Sequence, residues 1–444
     1  MAVLGSDTAA AQAFTRFGLG GRPEDALPPD PVAWLNAQLT GPDPFSNVGL
    51  PTLSTCLAYL NAFNSAKPGS KEAQAASAKI AAILQSEINA HLANALTTAV
   101  PFRERLVWFW ANHFAILTQS IPAFATSGIF VRQAIRPYVN KTFSEMLLAV
   151  IRHPAMQYSL NNAESIGPDS TYAIEHLKRT GIQLGLNENL GRECLELHTV
   201  GVNGGYTQAD VDALAAILSG WGVSTVPPRG FLFNLSQHEP TAQTLLGQTY
   251  PPTEQGGIAA LQWLATQPDT YLNLATELVT HFVSDTPEQS DILSVASALQ
   301  SSGGNLAAAA SALVALPNAW QPLQKFRPPL DHTIAVLRAV GATPAQAGNI
   351  GNIVQALGQP TWGTQFPNGW SDLAADWVGP AQVLLRADWV SSFCSSLNGV
   401  DALTIAGSSL GPFLSPTTQA LIGQLTSLHD QFVVLFCSPE FQRR

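Results

Sequence analysis

The sequence predicts a mainly α-helical protein, one large helical domain with a small β-hairpin insertion around residues 223–252. Apolar residues recur at helical spacing along most of the 444 residues, most clearly in the Ala-rich stretch 71–98. Pro and Gly interrupt this pattern where helices are expected to end. Strand character is confined to residues 223–252, where Phe231-Leu-Phe-Asn-Leu235 precedes a turn.

The predicted helices have boundary residues that favour helix ends. Pro31 occupies the first turn of one helix, and Thr207-Gln-Ala-Asp210 is a capping box that begins another. The helices predicted before residue 255 are 8–17, 31–39, 71–98, 102–117, 127–139, 142–152, 188–199 and 207–219. The helices predicted after it are 257–266, 269–284, 288–301, 305–315, 328–341, 345–357, 379–397 and 415–437.

Two stretches between the predicted helices have the character of loops. Residues 161–170 are rich in turn-forming residues. Residues 360–370 form a long aromatic loop, and such loops inside compact domains tend to be functional. Because no internal repeat or low-complexity linker is present, we expect a single domain over residues 1–444. The most favoured subdivision lies near residue 255, between a motif-bearing part, 1–255, and a C-terminal helical part, 256–444.

Composition argues against several classes of protein. The formal net charge of −10 argues against nucleic acid as a partner, because phosphate binding requires clustered Lys and Arg. No apolar run reaches the roughly 18–20 residues that a transmembrane helix needs. Scarce lysine and abundant Ala, Ser, Thr and Asn are typical of exported proteins, although residues 1–6 lack a signal-peptide pattern. We expect a periplasmic or extracellular protein whose signal peptide was replaced by the initiator methionine, with a cytoplasmic location as the alternative.

The four cysteines do not indicate a metal or redox motif. They are Cys56, Cys194, Cys394 and Cys437, and no pair has CxxC spacing. Cys394 and Cys437 both lie in C-terminal apolar segments, so a disulfide between them stays open.

Charged residues are concentrated in one stretch, residues 187–207, although only 12% of the chain is charged. Within the predicted helix 188–199, helical spacing places Asn189, Arg192, Glu193 and Glu196 on one face. Leu190, Cys194 and Leu197 form the opposite, apolar face. Two carboxylates one turn apart repel each other unless a cation joins them. Arg192 is the expected cation, paired with Glu196 at i+4.

Segments throughout the chain also carry a resemblance to a known family. They are Phe17-Gly-Leu-Gly20, Trp108-Phe-Trp-Ala-Asn-His-Phe114, His153-Pro-Ala-Met-Gln-Tyr-Ser-Leu-Asn-Asn162, residues 187–207, Ser219-Gly-Trp221, Phe231-Leu-Phe233, His238-Glu-Pro240, Phe282-Val-Ser-Asp285 and Pro367-Asn-Gly-Trp-Ser-Asp372. With them the chain resembles DUF1800, a large bacterial family of unknown function. The resemblance implies an exported protein. Two positions depart from the family pattern, Asn161 in place of Asp and Glu239 in place of the Asp of a His-Asp pair.

The favoured functional hypothesis is general acid/base hydrolysis of a glycan or a similar polymer, without a cofactor. Glu193, Glu196 and Glu188 are the candidate catalytic carboxylates, since glycoside hydrolysis uses two carboxyl groups at short separation. One of the pair would have its pKa raised by burial and by its neighbour. The candidate substrate-binding residues are the polar and aromatic side chains expected near them: Asn162, Asn189, Arg192, His113, His198, His238, Trp110, Trp221 and Trp370.

Two alternatives stay open at this point. A metal-dependent enzyme would use His113, His198 and His238 with a Glu, although HExxH and Glu-x-x-His motifs are absent. A non-enzymatic envelope or matrix protein would instead use the charged stretch as a buried Arg–Glu network that ties helices together.

Overall fold

The computed structural model describes residues 6–46 and 49–444, and over these residues the predicted mainly α-helical fold is confirmed. Up to residue 217 the α-helices are α1 Ser6–Gln12, α2 Pro31–Thr40, α3 Leu53–Ser65, α4 Lys71–Thr97, α5 Pro101–His113, α6 Ile121–Phe130, α7 Phe143–Arg152, α8 Pro154–Ser159, α9 Thr171–Thr180, α10 Asn189–Glu193 and α11 Gln208–Ile217. From residue 254 they are α12 Glu254–Leu264, α13 Pro268–Phe282, α14 Gln289–Ser301, α15 Leu306–Ala315, α16 Pro329–Ala339, α17 Ala347–Ala356, α18 Pro380–Cys394, α19 Ala402–Ser409, α20 Pro416–Gln424 and α21 Leu428–Cys437.

Three of these helices continue into a five-residue π-helical turn, and short 3₁₀ turns link others. The π turns are Ala13–Phe17, Val131–Ile135 and Cys194–His198. The 3₁₀ turns are Arg136–Tyr138, Asn162–Glu164, Pro317–Trp320, Pro344–Gln346, Ala374–Asp376 and Gly411–Phe413.

The β insertion predicted around 223–252 consists of two antiparallel hairpins rather than one. Strand β1, Trp221–Ser224, pairs with β2, Gly230–Phe233. Strand β3, Gln243–Leu245, pairs with β4, Gln248–Tyr250. Each hairpin forms its own two-stranded sheet, so the insertion adds no extended sheet to the helical core.

The predicted capping box at Thr207 and Asp210 is present and has a second role. The Thr207 hydroxyl accepts from the Asp210 backbone amide, and the Asp210 carboxylate accepts from the Thr207 amide at 2.8 Å. The other Asp210 oxygen accepts from the backbone amide of Leu246 at 2.6 Å. Leu246 and Gly247 form the two-residue β3–β4 turn with φ of 47° and 81°. One carboxylate therefore begins α11 and also holds a turn that positive φ makes costly for leucine.

Four clusters of buried apolar side chains make up the interior. The main cluster draws on residues 13–319 and therefore includes side chains from both sides of residue 255. A second cluster lies within residues 335–441, where α16, α18, α19 and α21 contribute. The motif-bearing segment around α10 packs against α11, and both contribute side chains to the main cluster.

Two buried arginines join segments that are far apart in the chain. Arg16 donates to the carbonyl oxygens of Phe282 and Val283 at 3.0 and 2.9 Å, at the end of α13. Arg338, on α16, donates to the carbonyl oxygens of Gly20 and Ala95 at 2.8 and 2.9 Å. Carbonyl groups at helix ends lack a partner within the helix, so these guanidinium groups satisfy them from a distant part of the chain.

Several predicted boundaries differ from the structure. The predicted helix 415–437 is two helices, because the Ser427 hydroxyl caps α21 and ends the continuous run. Helices α3, α9 and α19 were not predicted. Helix α9 has a Ser170 cap and ends at Gly181 with φ 71°, but its flanking residues resemble a loop and only Ala173 is buried in it.

Two further observations complete the description. All four cysteines are free thiols, so the Cys394–Cys437 pairing considered from the sequence is not formed. Over residues 6–46 and 49–444, no helix combines the length and hydropathy needed to cross a bilayer.

Candidate functional site

The charged stretch begins as the short helix α10 and then widens into the π turn Cys194–His198. Leu190, Cys194, Leu195 and His198 are buried, whereas Leu197 is half-buried. The apolar face predicted for a regular α-helix placed Leu197 inside, and that assignment is wrong. A π turn accommodates one more residue per turn than an α turn does, so the buried face shifts to Leu195. Such turns occur frequently at functional sites.

Glu193 and Glu196 are half-buried and lie on the side of the segment that remains accessible. Burial raises the pKa of Glu193 above its ordinary value, and the neighbouring charge of Glu196 raises it further. Glu196 accepts a hydrogen bond from the Tyr206 hydroxyl at 3.2 Å. The two carboxyl groups therefore occupy different environments.

Arg192 is paired with Glu188 at i−4, not with Glu196 as the sequence suggested. The guanidinium donates to Glu188 at 2.9 Å and to Gln208 at 2.9 Å. The side chains of Arg192 and Glu188 are 39% and 44% exposed. This ion pair lies at the surface, so it does not form the buried Arg–Glu network of the non-enzymatic alternative. Asn189, on the same segment, is exposed.

His113 lies next to His198, the last residue of the π turn in the charged stretch. Their ring centroids are 6.1 Å apart, and His113 Nδ1 is 2.7 Å from Glu277 Oε2 on α13. Burial, and secondarily His113, lowers the pKa of His198 to about 3, so its ring is neutral. Within the described chain, His113 Nε2 and His198 Nδ1 are buried atoms with no hydrogen-bond partner.

The remaining predicted substrate-binding residues near the motif lie in the interior. Trp110, Trp221, Asn162 and His238 are at most 3% exposed. The Asn162 amide donates to Gln157 and to the carbonyl oxygens of Leu218 and Trp221, which ties α8 to the start of β1. His238 Nδ1 donates to the Ser219 carbonyl at 2.7 Å, and burial lowers its pKa. These contacts are those of side chains that position the surrounding segments.

The three histidines of the metal hypothesis do not meet at one point. His113 contacts Glu277 and His198, whereas His238 is bonded to Ser219. Across residues 6–46 and 49–444, no group of three or more His, Cys, Asp or Glu side chains is arranged to hold a metal ion.

Trp370 lies elsewhere, in the wall of an open cleft. The aromatic loop 360–370 singled out from the sequence forms one side of this cleft. Asn112 clamps the loop, because its side chain accepts from the Trp370 amide at 2.7 Å and donates to the Trp370 carbonyl at 2.8 Å. Gly369 precedes Trp370 with φ 72°, and a Cβ there would lie 2.5 Å from the Asn112 carbonyl oxygen. Only glycine fits this approach.

Two charged pairs in the cleft wall were not identified from the sequence. Arg105 donates through Nη1 to both oxygens of Asp331 at 2.9 and 2.8 Å. His281 Nδ1 lies 2.6 Å from Asp372 Oδ1. Asp372 ends one of the segments that carry the family resemblance, and that segment was the only available signal. Its partner His281 is 91 residues away, so no local spacing connects them.

Helix α13 connects the cleft with the charged stretch. Asn273, Glu277 and His281 follow each other at i+4, so they lie on one face over about 12 Å. Asn273 donates to the Thr199 carbonyl at 3.1 Å, just after the π turn. Glu277 contacts His113, and His281 lines the cleft. One face of α13 therefore links the charged stretch to the cleft. Glu188, Glu193 and Glu196 do not line the cleft itself.

Comparisons with known proteins give one match. No curated protein and no solved structure matches the chain. The family model described as "Protein of unknown function (DUF1800)" matches residues 12–443. Among the segments that resemble this family, residues 187–207 are the charged stretch, and 108–114 and 367–372 contribute side chains to the cleft wall. The chain therefore belongs to the DUF1800 family.

Proposed function

We propose that this protein is a hydrolase that cleaves a glycan or a similar polymer by general acid/base catalysis at Glu193 and Glu196. The observation that supports this most strongly is the unequal environment of the two carboxyl groups. Burial, and secondarily the charge of Glu196, raises the pKa of Glu193, whereas Glu196 accepts a hydrogen bond from the Tyr206 hydroxyl. A carboxyl group with a raised pKa beside a second carboxyl group is characteristic of acid/base sites.

Each carboxyl group then has one role. Glu193 stays protonated to higher pH and donates its proton to the leaving oxygen. Glu196 is the partner that activates water or attacks the sugar carbon directly. Arg192 donates to Glu188 and Gln208 and not to the carboxyl pair, although its charge partly offsets the raised pKa of Glu193. Asn189 and Arg192 are exposed beside the pair and would contact the polymer, whereas Glu188 holds Arg192.

The polymeric carbohydrate and the extracellular or periplasmic location belong to the same proposal. An acidic protein with accessible carboxyl groups suits an uncharged polymer better than a polyanion, because like charges repel at short distance.

The test is the release of reducing ends from a panel of neutral and acidic polysaccharides. Glu193→Gln and Glu196→Gln should each lower kcat by about a hundredfold or more, because each removes a proton-transfer or nucleophilic group. Both variants should keep the wild-type melting temperature within a few degrees, since both side chains are partly exposed.

Glu175→Gln is the matched control, an exposed glutamate on the surface helix α9. It should retain full activity. Hydrolysis that survives both motif substitutions would assign the reaction to other residues. If no polysaccharide is cleaved but one is bound, the non-enzymatic alternative replaces the proposal.

A further inference from the structure

The cleft beside the aromatic loop contains a buried histidine whose free nitrogen is a hydrogen-bond donor. His91, on α4, lines the cleft and is 2% exposed. Arg136 Nη2 lies 3.2 Å from His91 Nδ1, and a guanidinium can only donate, so Nδ1 accepts. Burial, followed by the charge of Arg136, keeps the pKa of His91 well below its ordinary value, so the ring is neutral. The remaining proton is therefore on Nε2, which is buried and has no partner within the described chain.

A second histidine presents the complementary group from another wall. His281 donates through Nδ1 to Asp372, so its Nε2 is an acceptor when the ring is neutral. That Nε2 is also buried and unpartnered among the described residues, as is Thr361 Oγ1. All three residues line the cleft. Buried polar atoms are normally satisfied, so these three atoms around one cavity remain available to a polar ligand.

Tryptophan side chains form apolar walls between these polar atoms. Trp362 has φ 50°, an unfavourable conformation for a bulky residue, and its ring contacts His91 edge-on at 4.9 Å. A Cβ at Gly128 would lie 3.1 Å from the Trp362 ring and 2.5 Å from Glu87, so this glycine makes room for the indole. Trp108 and Trp370 also line the cleft. Backbone strain of this kind persists only where the surrounding structure enforces it, and it is concentrated at ligand-binding and active sites.

The charges in the cleft wall balance one another. Asp331 lies between the guanidinium groups of Arg105 and Arg444, and Asp372, which accepts from His281, is a second carboxylate, so two cations are matched by two anions and no net charge is left for an ionic ligand. A suitable ligand combines an apolar face with a rim that both donates and accepts hydrogen bonds. A sugar ring has these properties, with C–H groups on its faces and hydroxyl groups around its edge.

We propose that this cleft is a binding site for a neutral sugar residue, separate from the Glu193–Glu196 pair. The indoles of Trp362 and Trp370 contact the ring faces. His91 Nε2 donates to one hydroxyl or ring oxygen, and His281 Nε2 accepts from another hydroxyl. The site requires no hydrolysis, so it can exist whether or not the carboxylate pair is catalytic.

The experiment uses the full chain carrying Glu193→Gln and Glu196→Gln, so that turnover at the proposed pair does not consume the probe. Neutral tetrasaccharides of glucose, N-acetylglucosamine and mannose, and acidic galacturonate tetrasaccharides, are titrated by calorimetry and tryptophan fluorescence. At least one neutral probe should bind and quench fluorescence, with the acidic probe weaker by about tenfold or more. Absence of binding by every neutral probe at millimolar concentration, or equal binding of acidic and neutral probes, would overturn the proposal.

Substitutions in the wall of the cleft test whether the sugar binds there. Trp370→Ala should raise Kd by about tenfold or more, since aromatic anchors dominate such contacts. Trp362→Asn should do the same while keeping a residue type that tolerates positive φ. Trp389→Ala, a partly buried tryptophan outside the cleft lining, is the matched control and should leave Kd unchanged. If both cleft variants fold normally and keep the wild-type Kd, the sugar binds elsewhere and this assignment is wrong.

Discussion

At the scale of single residues, Glu193 links the proposed chemistry to stability. Its pKa is raised in the folded state from an ordinary value of 4.5, so the unfolded chain loses this proton at lower pH than the folded chain does. Stability contributed by Glu193 is therefore complete below about pH 4.5 and is lost as the pH rises through the raised pKa. Because glutamine does not ionise, Glu193→Gln removes this loss of stability at higher pH.

We predict that Glu193→Gln and the wild type unfold with similar free energies near pH 4, and that the variant is more stable near pH 8. The gain should be below about 1 kcal/mol, because water screens a half-buried charge. Urea denaturation at both pH values measures it. A variant that is less stable at the higher pH would contradict a raised pKa.

Asn162 was predicted to bind substrate, but its contacts are those of an internal hydrogen-bonding group. Asn162→Ala would remove the side-chain donor to the Trp221 carbonyl and one of two donors to the Leu218 carbonyl in a buried region. We expect a loss of about 2–3 kcal/mol in the free energy of unfolding. Asn189→Ala, at an exposed position, should change it by less than about 0.5 kcal/mol. Equal effects of the two substitutions would contradict the structural role of Asn162.

At the scale of secondary-structure elements, the π turn after α10 determines which leucine is internal. Leu195 is fully buried and Leu197 is not. We predict that Leu195→Ala destabilises the protein by about 2–5 kcal/mol, as expected for an uncompensated cavity. Leu197→Ala should cost less than half as much. Thermal unfolding of the two variants distinguishes this turn from a regular α-helix, in which the order of the two effects would be reversed.

Elements with strong local signals were predictable from the sequence. The capping box at Thr207 follows from the spacing of two residues, and the helix 71–98 follows from regular apolar repeats. The π turn was not predictable, because an inserted position in a helix leaves no mark that separates it from an α turn. Helix α9 was not predicted because it follows the loop-like residues 161–170, although its Ile174 and Leu177 stand at helical spacing.

The candidate sites were predictable to different degrees. The charged stretch is continuous in sequence, so its composition alone identified Glu193 and Glu196. The cleft combines Asn112, His281 and Asp372 from three distant segments, and only the tertiary fold brings them together. The aromatic loop was predicted to be functional from its composition, but its partners across the cleft were not predicted.

At the scale of the whole molecule, one carboxylate joins three distant parts of the chain. Asp331 pairs with Arg105 at 2.8 Å and with Arg444 at 3.1 Å, and all three side chains are almost completely buried. Asp331→Asn would leave two buried guanidinium groups without their counter-charge. We predict a loss of about 3–5 kcal/mol in the free energy of unfolding.

Asp30→Asn provides a comparison, because Asp30 is an exposed N-cap of α2 and asparagine caps helices equally well. It should unfold within about 0.5 kcal/mol of the wild type. Chemical denaturation gives both values. A normal unfolding transition for Asp331→Asn would show that this ion-pair network is dispensable.

The long-range arginine contacts also have a consequence for biosynthesis. Arg16 emerges from the ribosome early, yet the carbonyl groups that accept from it belong to residues 282 and 283. The Gly20 carbonyl likewise accepts its hydrogen bond from Arg338, which is translated 318 residues later. The amino-terminal helices therefore cannot reach their final packing during most of translation, and closure of the fold follows the synthesis of its last quarter.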